Sequence, residues 1–516
     1  MPKQTILFCF LSASLLFSRA FSNDVTTTHI ETLYHTINPL SIPQHFAFYR
    51  LYPKTPLGKK AFEEGWQLLI GEKSDTLADI ALPLLSIDSI EAVLALVLKN
   101  PNERERFFFP AHERELINTL ANRLANRTLR GAEILSEEEL LALAPEEVDL
   151  ARGLMLSQLP DTADRLDYVE SYEALIDLMA LQILTKTSMD ASAEEKIAAI
   201  NDFLFFAMGF RFPPHSAYAN SIDEYTFLQT VLDSREGVCL GVTTLYLSLA
   251  QRIALPLEVV TPPGHIFLRH SGKEINIETT ARGINLPSDT YLSINTRSLQ
   301  TRNIKEVIGL THFNQASVYW QKGEHTKAIA SYEKAAQYLP NEMLIKEFLG
   351  LHYLFIGKKK LGREYLNRVK DWLPDYAVSK ETFAEDYLNN KVDIEGLKTL
   401  FLHVDNSRKS IEKKCDALQE TVKRHPEFRS GLFHLAATWL QLGRAKEAVA
   451  VLERYHKIDP NNPNVEYYLA ALHKERYNLP KAWEHLHNSE RITAGRDHKP
   501  KPLKALHTTL NLQCVW

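Results

Sequence analysis

Three side chains in one segment, Cys239, His265 and Glu278, could together form a nucleophilic site. In acyl transfer by a thiol, the thiolate attacks a carbonyl carbon, an imidazole moves the proton and a carboxylate orients the imidazole. Each residue also has a non-catalytic interpretation, because Cys239 could be a small core residue and the other two a surface ion pair. The occurrence of all three groups in one short segment favours the catalytic interpretation.

The surroundings of Cys239 are those of a reactive thiol. Gly237 allows a tight turn before it, and the apolar run Val242–Ile253 predicts a buried helix after it. A helix N-terminus provides partial positive charge and free backbone N–H groups, which favour the thiolate. The N–H group of Cys239 could also serve an oxyanion hole.

His265 and Glu278 lie on two short strand patterns, His265–His270 and Glu274–Thr279, separated by Ser271-Gly272. A two-residue turn there would set His265 directly opposite Glu278, with Cβ atoms about 5 Å apart. A three-residue turn would slip the register by one and place Thr279 there instead. The pairing of imidazole and carboxylate is therefore predicted on the condition of a particular turn length.

The elements around these residues define the fold class. Residues 161–300 show helical patterns followed by strand patterns, which predicts an α+β domain with an antiparallel sheet. Residues 23–160 are predicted to form a helical N-terminal domain, with Ser136 as one helix cap.

Beyond residue 300 the sequence becomes periodic. Small and aromatic residues recur at intervals of 34 positions, which predicts tetratricopeptide-like helix pairs over residues 301–495. The first copy contains Ala316, Tyr319, Gly323, Ala328, Tyr332, Ala335 and Pro340. Residues 375–426 are helical but degenerate in this pattern, and residues 496–516 are interpreted as a C-terminal tail. Such an α-solenoid offers an extended concave surface, so a protein or peptide partner is expected.

The first 22 residues resemble a secretory signal peptide. Lys3 precedes the apolar run Ile6–Phe17, and Ala20-Phe21-Ser22 forms a small-x-small pattern. An exported protein, periplasmic or secreted, is expected, with an uncleaved anchor as the alternative. No later apolar stretch is long enough to span a membrane.

The composition excludes several other classes. The 516 residues carry a formal net charge of -5 with both signs mixed, so no nucleic-acid surface is predicted. Glycine-rich phosphate loops are missing from the sequence, and no Cys/His group has zinc spacing, so neither a cofactor nor a metal is expected. Histidines such as His270, His434 and His473 are interpreted as core or solvated residues.

Residues 190–285 resemble the transglutaminase-like group that includes SirB-type proteins. The resemblance lies in Arg235 and Gly237 before the cysteine helix, Leu245-Tyr246-Leu247 within it, Pro263-Gly264-His265, and an acid that closes the next strand. It implies a papain-like, transglutaminase-like core over residues 161–300, with Cys239 as nucleophile, His265 as general base and Glu278 as orienting acid. One departure is the glutamate, since an aspartate is usual at that position. The group often joins this domain to tetratricopeptide repeats.

Two hypotheses for function follow. In the first, the chain is a thiol-dependent acyl-transfer enzyme, a peptidase, amidase or transamidase, whose repeats recruit a substrate or partner. In the second, it is a catalytically inactive transglutaminase-like scaffold whose repeats mediate protein–protein interaction.

Overall fold

The computed structural model describes residues 27–71, 108–213, 222–405, 407–496 and 498–513. The chain divides into two compact units, Met1–Lys99 and Asn100–Trp516. The predicted signal segment and the apolar stretch at residues 77–98 lie outside the described residues.

The described part of the first unit is helical. Its helices are α1 (Thr27–Tyr34), α2 (Ile42–Leu51) and α3 (Pro56–Ile70). The Thr55 hydroxyl caps α3 by accepting the Gly58 N–H at 2.9 Å. Phe46 and Trp66 are buried and meet edge to face, with ring centroids 5.3 Å apart. This aromatic contact between α2 and α3 forms the centre of the small unit.

The second unit begins with helices that surround the candidate site. They are α4 (Ala111–Ala121), α5 (Glu137–Ala142), α6 (Leu150–Gln158), α7 (Arg165–Leu184), α8 (Ala193–Asn201), α9 (Leu228–Ser234) and α10 (Cys239–Arg252). The predicted cap forms, because the Ser136 hydroxyl accepts the Glu139 N–H at 3.2 Å. Helix α8 continues as a π-helical turn at Asp202–Ala207. The helical run that begins at Ala193 therefore extends to Ala207, with a changed last turn.

An antiparallel sheet follows α10. The described strands are β1 (Glu258–Thr261), β2 (Phe267–His270), β3 (Ile275–Ile277) and β4 (Gln300–Arg302), in the order β3-β2-β1-β4. Val259, Val260, Phe267, Leu268 and Ile277 are buried between the sheet and the helices. This confirms the α+β class, while β4 was not predicted because three polar residues carry no alternating pattern.

The remainder of the second unit is an α-solenoid. Its helices are α11 (Ile304–Gln321), α12 (His325–Tyr338), α13 (Met343–Phe355), α14 (Lys359–Val369), α15 (Phe383–Leu388), α16 (Ile394–Leu400), α17 (Arg408–Arg424), α18 (Arg429–Gln441), α19 (Ala445–Ile458), α20 (Pro463–Glu475), α21 (Leu479–Ile492) and α22 (Lys501–Gln513). The predicted repeat positions Ala316, Ala328, Tyr332 and Ala335 are fully buried where α11 meets α12. Small side chains there let the paired helices approach closely.

The segment predicted as a tail contains α22. Leu503, Leu506 and Leu510 are buried in one cluster with Ile294, which precedes the repeats, and with residues of α20 and α21. The end of the array therefore packs against the segment that joins the sheet to the repeats. No helix in the described ranges has both the length and the apolar character needed to cross a membrane.

Candidate active site

Cys239 is the first residue of α10, and the chain before it is held by backbone contacts. The Val238 N–H donates to the Tyr225 carbonyl at 3.1 Å, and the Gly237 N–H donates to the Arg211 carbonyl at 3.0 Å. A Cβ atom on Gly237 would lie 2.8 Å from Val242 Cγ2, so only glycine fits this turn. The predicted placement of the thiol at a helix N-terminus is confirmed.

The two cysteines of the described residues differ in access. Cys239 is half-buried, whereas Cys415 is buried in the repeats. Burial raises the pKa of the Cys415 thiol to about 11. A thiol that stays protonated at neutral pH is a poor nucleophile, so Cys415 serves as an internal reference for Cys239.

His265 is brought to Glu278 across the hairpin. Gly264 has a φ of 74°, and the His265 N–H closes the turn by donating to the Pro262 carbonyl at 3.0 Å. His265 Nε2 lies 2.6 Å from Glu278 Oε2, and the Cys239 side chain is close enough to His265 to contribute to the shift of its pKa. Since the carboxylate engages Nε2, Nδ1 is the ring nitrogen available to the thiol. The three predicted residues therefore form one connected group.

The turn length behind this contact was predicted wrongly. The hairpin pairs His270 with Ile275, so its loop has four residues, Ser271–Glu274, rather than two. The first three form a 3₁₀ turn and Glu274 is left-handed, with a φ of 51°. A shift of two residues keeps every side chain on its predicted face. Glu278 consequently reaches His265 diagonally rather than from directly opposite.

The carboxylate of Glu278 is buried and accepts two further hydrogen bonds. The Thr280 hydroxyl donates to Oε1 at 3.0 Å, and the Tyr291 hydroxyl donates to Oε2 at 3.0 Å. Burial alone would raise the pKa of Glu278, but the contacts to His265, Thr280 and Tyr291 outweigh it and lower that pKa. The acid is therefore held in its charged form.

The charged acid acts in turn on the imidazole. Hydrogen bonds to Cys239 and to Glu278 raise the pKa of His265 to about 9, against the opposing effect of burial. The side chain of His265 is 29% exposed, so solvent still screens this interaction in part. At neutral pH the ring is an imidazolium, the state that stabilises a thiolate beside it.

Tyr291 was not among the predicted site residues. Its ring stacks on Phe267 at a centroid distance of 4.2 Å and on His265 at 5.7 Å. Its hydroxyl contacts the acid, so one side chain orients both the imidazole and the carboxylate. No local signal marks Tyr291, because it follows the acid in a loop without strand or helix periodicity.

The Tyr291 loop, residues 283–299, is held in place by the repeats. Lys501 Nζ lies 2.9 Å from Asp289 Oδ1, and Arg496 Nη1 donates to the Ile294 carbonyl at 2.6 Å. The Val378 N–H donates to the Asn295 carbonyl at 2.8 Å. The position of Tyr291 therefore depends on the solenoid as well as on the sheet.

A buried ion network supports the far end of α10. Arg252 is fully buried, with Nε 2.6 Å from Asp177 Oδ1 and Nη1 3.8 Å from Asp149 Oδ1. Asp177 also pairs with Arg127, and Asp149 caps α6 by accepting the Arg152 N–H at 3.2 Å. A buried charge is tolerated only when oppositely charged partners surround it. Because the partners of Arg252 lie on α7 and at the start of α6, the network fixes α10 against both helices.

The guanidinium of Arg269, on β2, is engaged within the domain. Nε donates to Asn276 Oδ1 at 3.0 Å and Nη2 donates to Ser288 Oγ at 3.1 Å. A cavity of about 590 Å³ opens beside it, with Glu258, Arg269 and Asn276 in its lining. The cavity gives this face a polar groove, and its lining includes neither Cys239 nor His265.

A second group of titratable side chains lies in the repeats. His456, Glu466 and His485 bring one ligand atom each to within 4.8 Å of one another. The expectation of no metal-ligating cluster considered spacing along the chain, and these residues come from three different helices. His473 is buried as a core residue and stacks on His485 at 5.6 Å, as its interpretation from the sequence implied.

Comparison with known proteins agrees with this architecture. A family model described as the Transglutaminase-like superfamily matches residues 170–310, and Tetratricopeptide repeat models match residues 311–341 and 416–463. The second unit therefore contains a transglutaminase-like domain followed by tetratricopeptide repeats. This confirms the resemblance seen in the cysteine, histidine and acid motifs.

Individual relatives are distant. A UPF0162 protein of Xylella fastidiosa strain 9a5c is 23% identical over 203 residues, which cover 35% of this chain and 68% of the relative. Among solved structures, MamA is 16% identical with a TM-score of 0.19, covering 34% of this chain and 93% of MamA. The TPR2AB domain of yeast Sti1, solved with pHSP90, is 19% identical with a TM-score of 0.21, covering 39% and 85%. These scores carry no argument about function.

Proposed function

We propose that this protein is an exported, thiol-dependent acyl-transfer enzyme that acts on protein or peptide through Cys239, His265 and Glu278. The observation that carries the proposal is the connected group at the start of α10, in which Nε2 of His265 lies 2.6 Å from the buried Glu278 carboxylate. Cys239 also contributes to the raised pKa of His265, so the imidazole is the partner that the thiol needs.

The first half of the reaction requires an imidazolium at His265 and a thiolate at Cys239, the pair produced when the thiol proton passes to the ring. The Cys239 thiolate attacks the carbonyl carbon of a substrate amide, and a C–S bond forms while the carbonyl oxygen becomes an oxyanion. Free N–H groups at the N-terminus of α10 are suited to stabilise that oxyanion. When the C–N bond breaks, the His265 imidazolium gives its proton to the leaving amine, and a thioester remains on Cys239.

The second half regenerates the thiolate. Water or an amine attacks the thioester carbon and transfers a proton to the now neutral His265, and the C–S bond breaks. Water as acceptor makes the protein a peptidase or amidase, and an amine makes it a transamidase. Glu278 remains ionised throughout and stabilises each imidazolium that forms.

The repeats supply the second part of the proposal. Tetratricopeptide arrays generally bind proteins through their extended surface, and here the array also contacts the Tyr291 loop. We propose that the repeats recruit the substrate or a partner. The signal-type segment at residues 1–22 supports export to the periplasm or beyond.

Alkylation by iodoacetamide tests the proposal. At pH 7, mass spectrometry of the intact folded chain is expected to show selective modification of Cys239 over buried Cys415. The rate at Cys239 should fall by about a hundredfold or more in His265→Ala, because the thiolate loses its counter-charge. The matched control is His270→Ala, which removes a half-buried histidine from the same hairpin and should leave the rate unchanged.

Two results would support the scaffold hypothesis instead. One is a Cys239 that reacts no faster than Cys415 in the folded chain. The other is a Cys239 whose reaction rate is the same in the wild type and in His265→Ala. A positive result leads to peptide libraries, in which acyl-enzyme formation appears as a mass increase that hydroxylamine removes.

A further inference from the structure

Three helices of the last repeats bring an imidazole, a carboxylate and a second imidazole together. His456 lies near the end of α19, Glu466 in the first turn of α20 and His485 in the middle of α21. His456 Nδ1 is 2.5 Å from Glu466 Oε1, and His485 Nδ1 is 2.9 Å from Glu466 Oε2. Each carboxylate oxygen therefore faces one imidazole nitrogen.

The carboxylate at the centre is fully buried. Glu466 and His485 are nearly inaccessible, while the side chain of His456 is 28% exposed. Within the described residues, neither lysine nor arginine forms an ion pair with Glu466. A carboxylate removed from water needs hydrogen-bond donors or a cation beside it, and a metal ion bound between the three side chains would supply the cation.

The three helices are held in register by other polar contacts. Asn462 caps α20 by accepting the Val465 N–H at 3.2 Å, and its amide donates to the Tyr455 hydroxyl of α19 at 3.0 Å. The Ser489 hydroxyl of α21 donates to the Pro463 carbonyl at 3.2 Å. The candidate ligands are thus carried by rigid elements whose relative positions are fixed by contacts outside the cluster.

We propose that His456, Glu466 and His485 form a structural Zn²⁺ site that joins consecutive tetratricopeptide repeats. Two imidazole nitrogens with a carboxylate form a donor set that zinc accepts, whereas Mg²⁺ and Ca²⁺ prefer oxygen ligands. Ligands about 2.0–2.1 Å from a tetrahedral ion lie about 3.3 Å apart, so the imidazole–carboxylate distances of 2.5 and 2.9 Å lengthen by about 0.8 and 0.4 Å to admit it.

The location of the site gives it a mechanical role. Helix α19 is the second helix of one repeat, and α20 with α21 form the next. An ion at this point ties the two repeats together beside the cluster of Leu503, Leu506 and Leu510 on α22. Zinc would therefore stiffen the end of the solenoid that packs against the chain leading out of the sheet.

A zinc titration of the full-length, untagged chain after treatment with EDTA tests the proposal. Calorimetry should show one Zn²⁺ bound per chain, and competition with a chromophoric chelator should give the affinity. His456→Ala and His485→Ala are each expected to weaken binding by about a hundredfold or more, since a ligand is lost rather than a supporting contact. Proton release on binding should be visible as a dependence of the heat on the buffer.

Two control variants locate the ion. His487→Ala removes an exposed histidine from the same helix, α21, and should leave zinc affinity unchanged. Cys239→Ser tests whether the thiol site takes the metal instead. Zinc affinity unchanged in His456→Ala and His485→Ala, zinc affinity lost in either control, or no binding by the wild type would each overturn the proposal.

Co²⁺ provides a measurement that does not depend on a buried substitution. The visible spectrum of Co²⁺ reports tetrahedral nitrogen and oxygen coordination in the wild-type chain. If His485→Ala fails to fold, the test uses His456→Ala instead, because the side chain of His456 is partly exposed. Loss of the tetrahedral spectrum in that variant supports the site, and its retention overturns it.

Discussion

Histidine holds two buried carboxylates among the described residues, Glu278 in the transglutaminase-like domain and Glu466 in the repeats. Glu278 meets one imidazole at the edge of a sheet, and that imidazole also contacts a half-buried thiol. Glu466 meets two imidazoles between packed helices. The same side-chain types therefore stand in two different environments.

The difference lies in what surrounds each histidine. His265 is partly exposed and its second ring nitrogen is available to a nucleophile, so its proton can be transferred. His485 is buried and stacked against His473, so its role is confined to holding Glu466 or a metal ion. The proposed proton transfer therefore requires the environment of His265, in which solvent and a third group can reach the ring.

The largest expected effect comes from removing the charge of Glu278. Glu278→Gln should slow alkylation of Cys239 at pH 7 by about a hundredfold, because His265 loses the carboxylate that keeps it protonated and oriented. Glu412→Gln, on an exposed face of α17, is the matched control. Equal alkylation rates in the wild type and Glu278→Gln would show that Glu278 does not activate the thiol, and the two sites would then not differ in this respect.

A smaller effect is expected from the equivalent change in the repeats. Glu466→Gln, measured in EDTA, should lower the local unfolding free energy of α20 by about 2 kcal/mol, because an amide offers one acceptor oxygen where the carboxylate offers one to each of His456 and His485. Hydrogen exchange of the α20 amides reports this local quantity. Unchanged protection would mean that the cluster contributes nothing to the packing of these helices.

The hydroxyl of Tyr291 is expected to contribute about 1 kcal/mol to the thiol site. Tyr291→Phe keeps the ring stacking but removes the hydrogen bond to Glu278, so alkylation should slow by about fivefold. The pH–rate profile should shift as well, since the pKa of Glu278 would rise and that of His265 would fall. A slower rate with an unshifted profile would show a structural role only, and Tyr365→Phe in the repeats is the control.

The smallest effect concerns stability and pH. The pKa of His265 is raised to about 9 from an ordinary value near 6.5, so its stabilisation is complete below about pH 6.5 and is lost as the pH rises through 9. Solvent screening limits the loss to less than about 1 kcal/mol. Urea unfolding of the wild type and of His265→Ala between pH 6 and 9.5 should show this loss. The difference between their free energies of unfolding should shrink as the pH rises.

Local patterns were sufficient for the elements of the site. Gly237 before an apolar run predicted a helix at Cys239, and residues at a spacing of 34 predicted the helix pairs, because both depend on near neighbours in the chain. The two strand patterns on either side of Ser271-Gly272 predicted that His265 and Glu278 share a face. That face survived a wrong turn length because the error was an even number of residues.

Contacts between segments that are distant in the chain could not be predicted from the sequence. Tyr291 reaches Glu278 only because the sheet, the Tyr291 loop and the solenoid pack together. His456 and His485 meet at Glu466 only because three helices converge.

By itself, therefore, the sequence determined that this protein places a thiol at a helix start and a histidine and an acid on one face of a hairpin, followed by a repeat array. Tertiary structure alone decided the four-residue turn, the hydrogen bonds that keep Glu278 ionised and the cluster at Glu466. The physical reason is that helices and strands follow the period of the backbone, whereas the pKa of a side chain depends on whichever groups folding brings within a few ångströms of it.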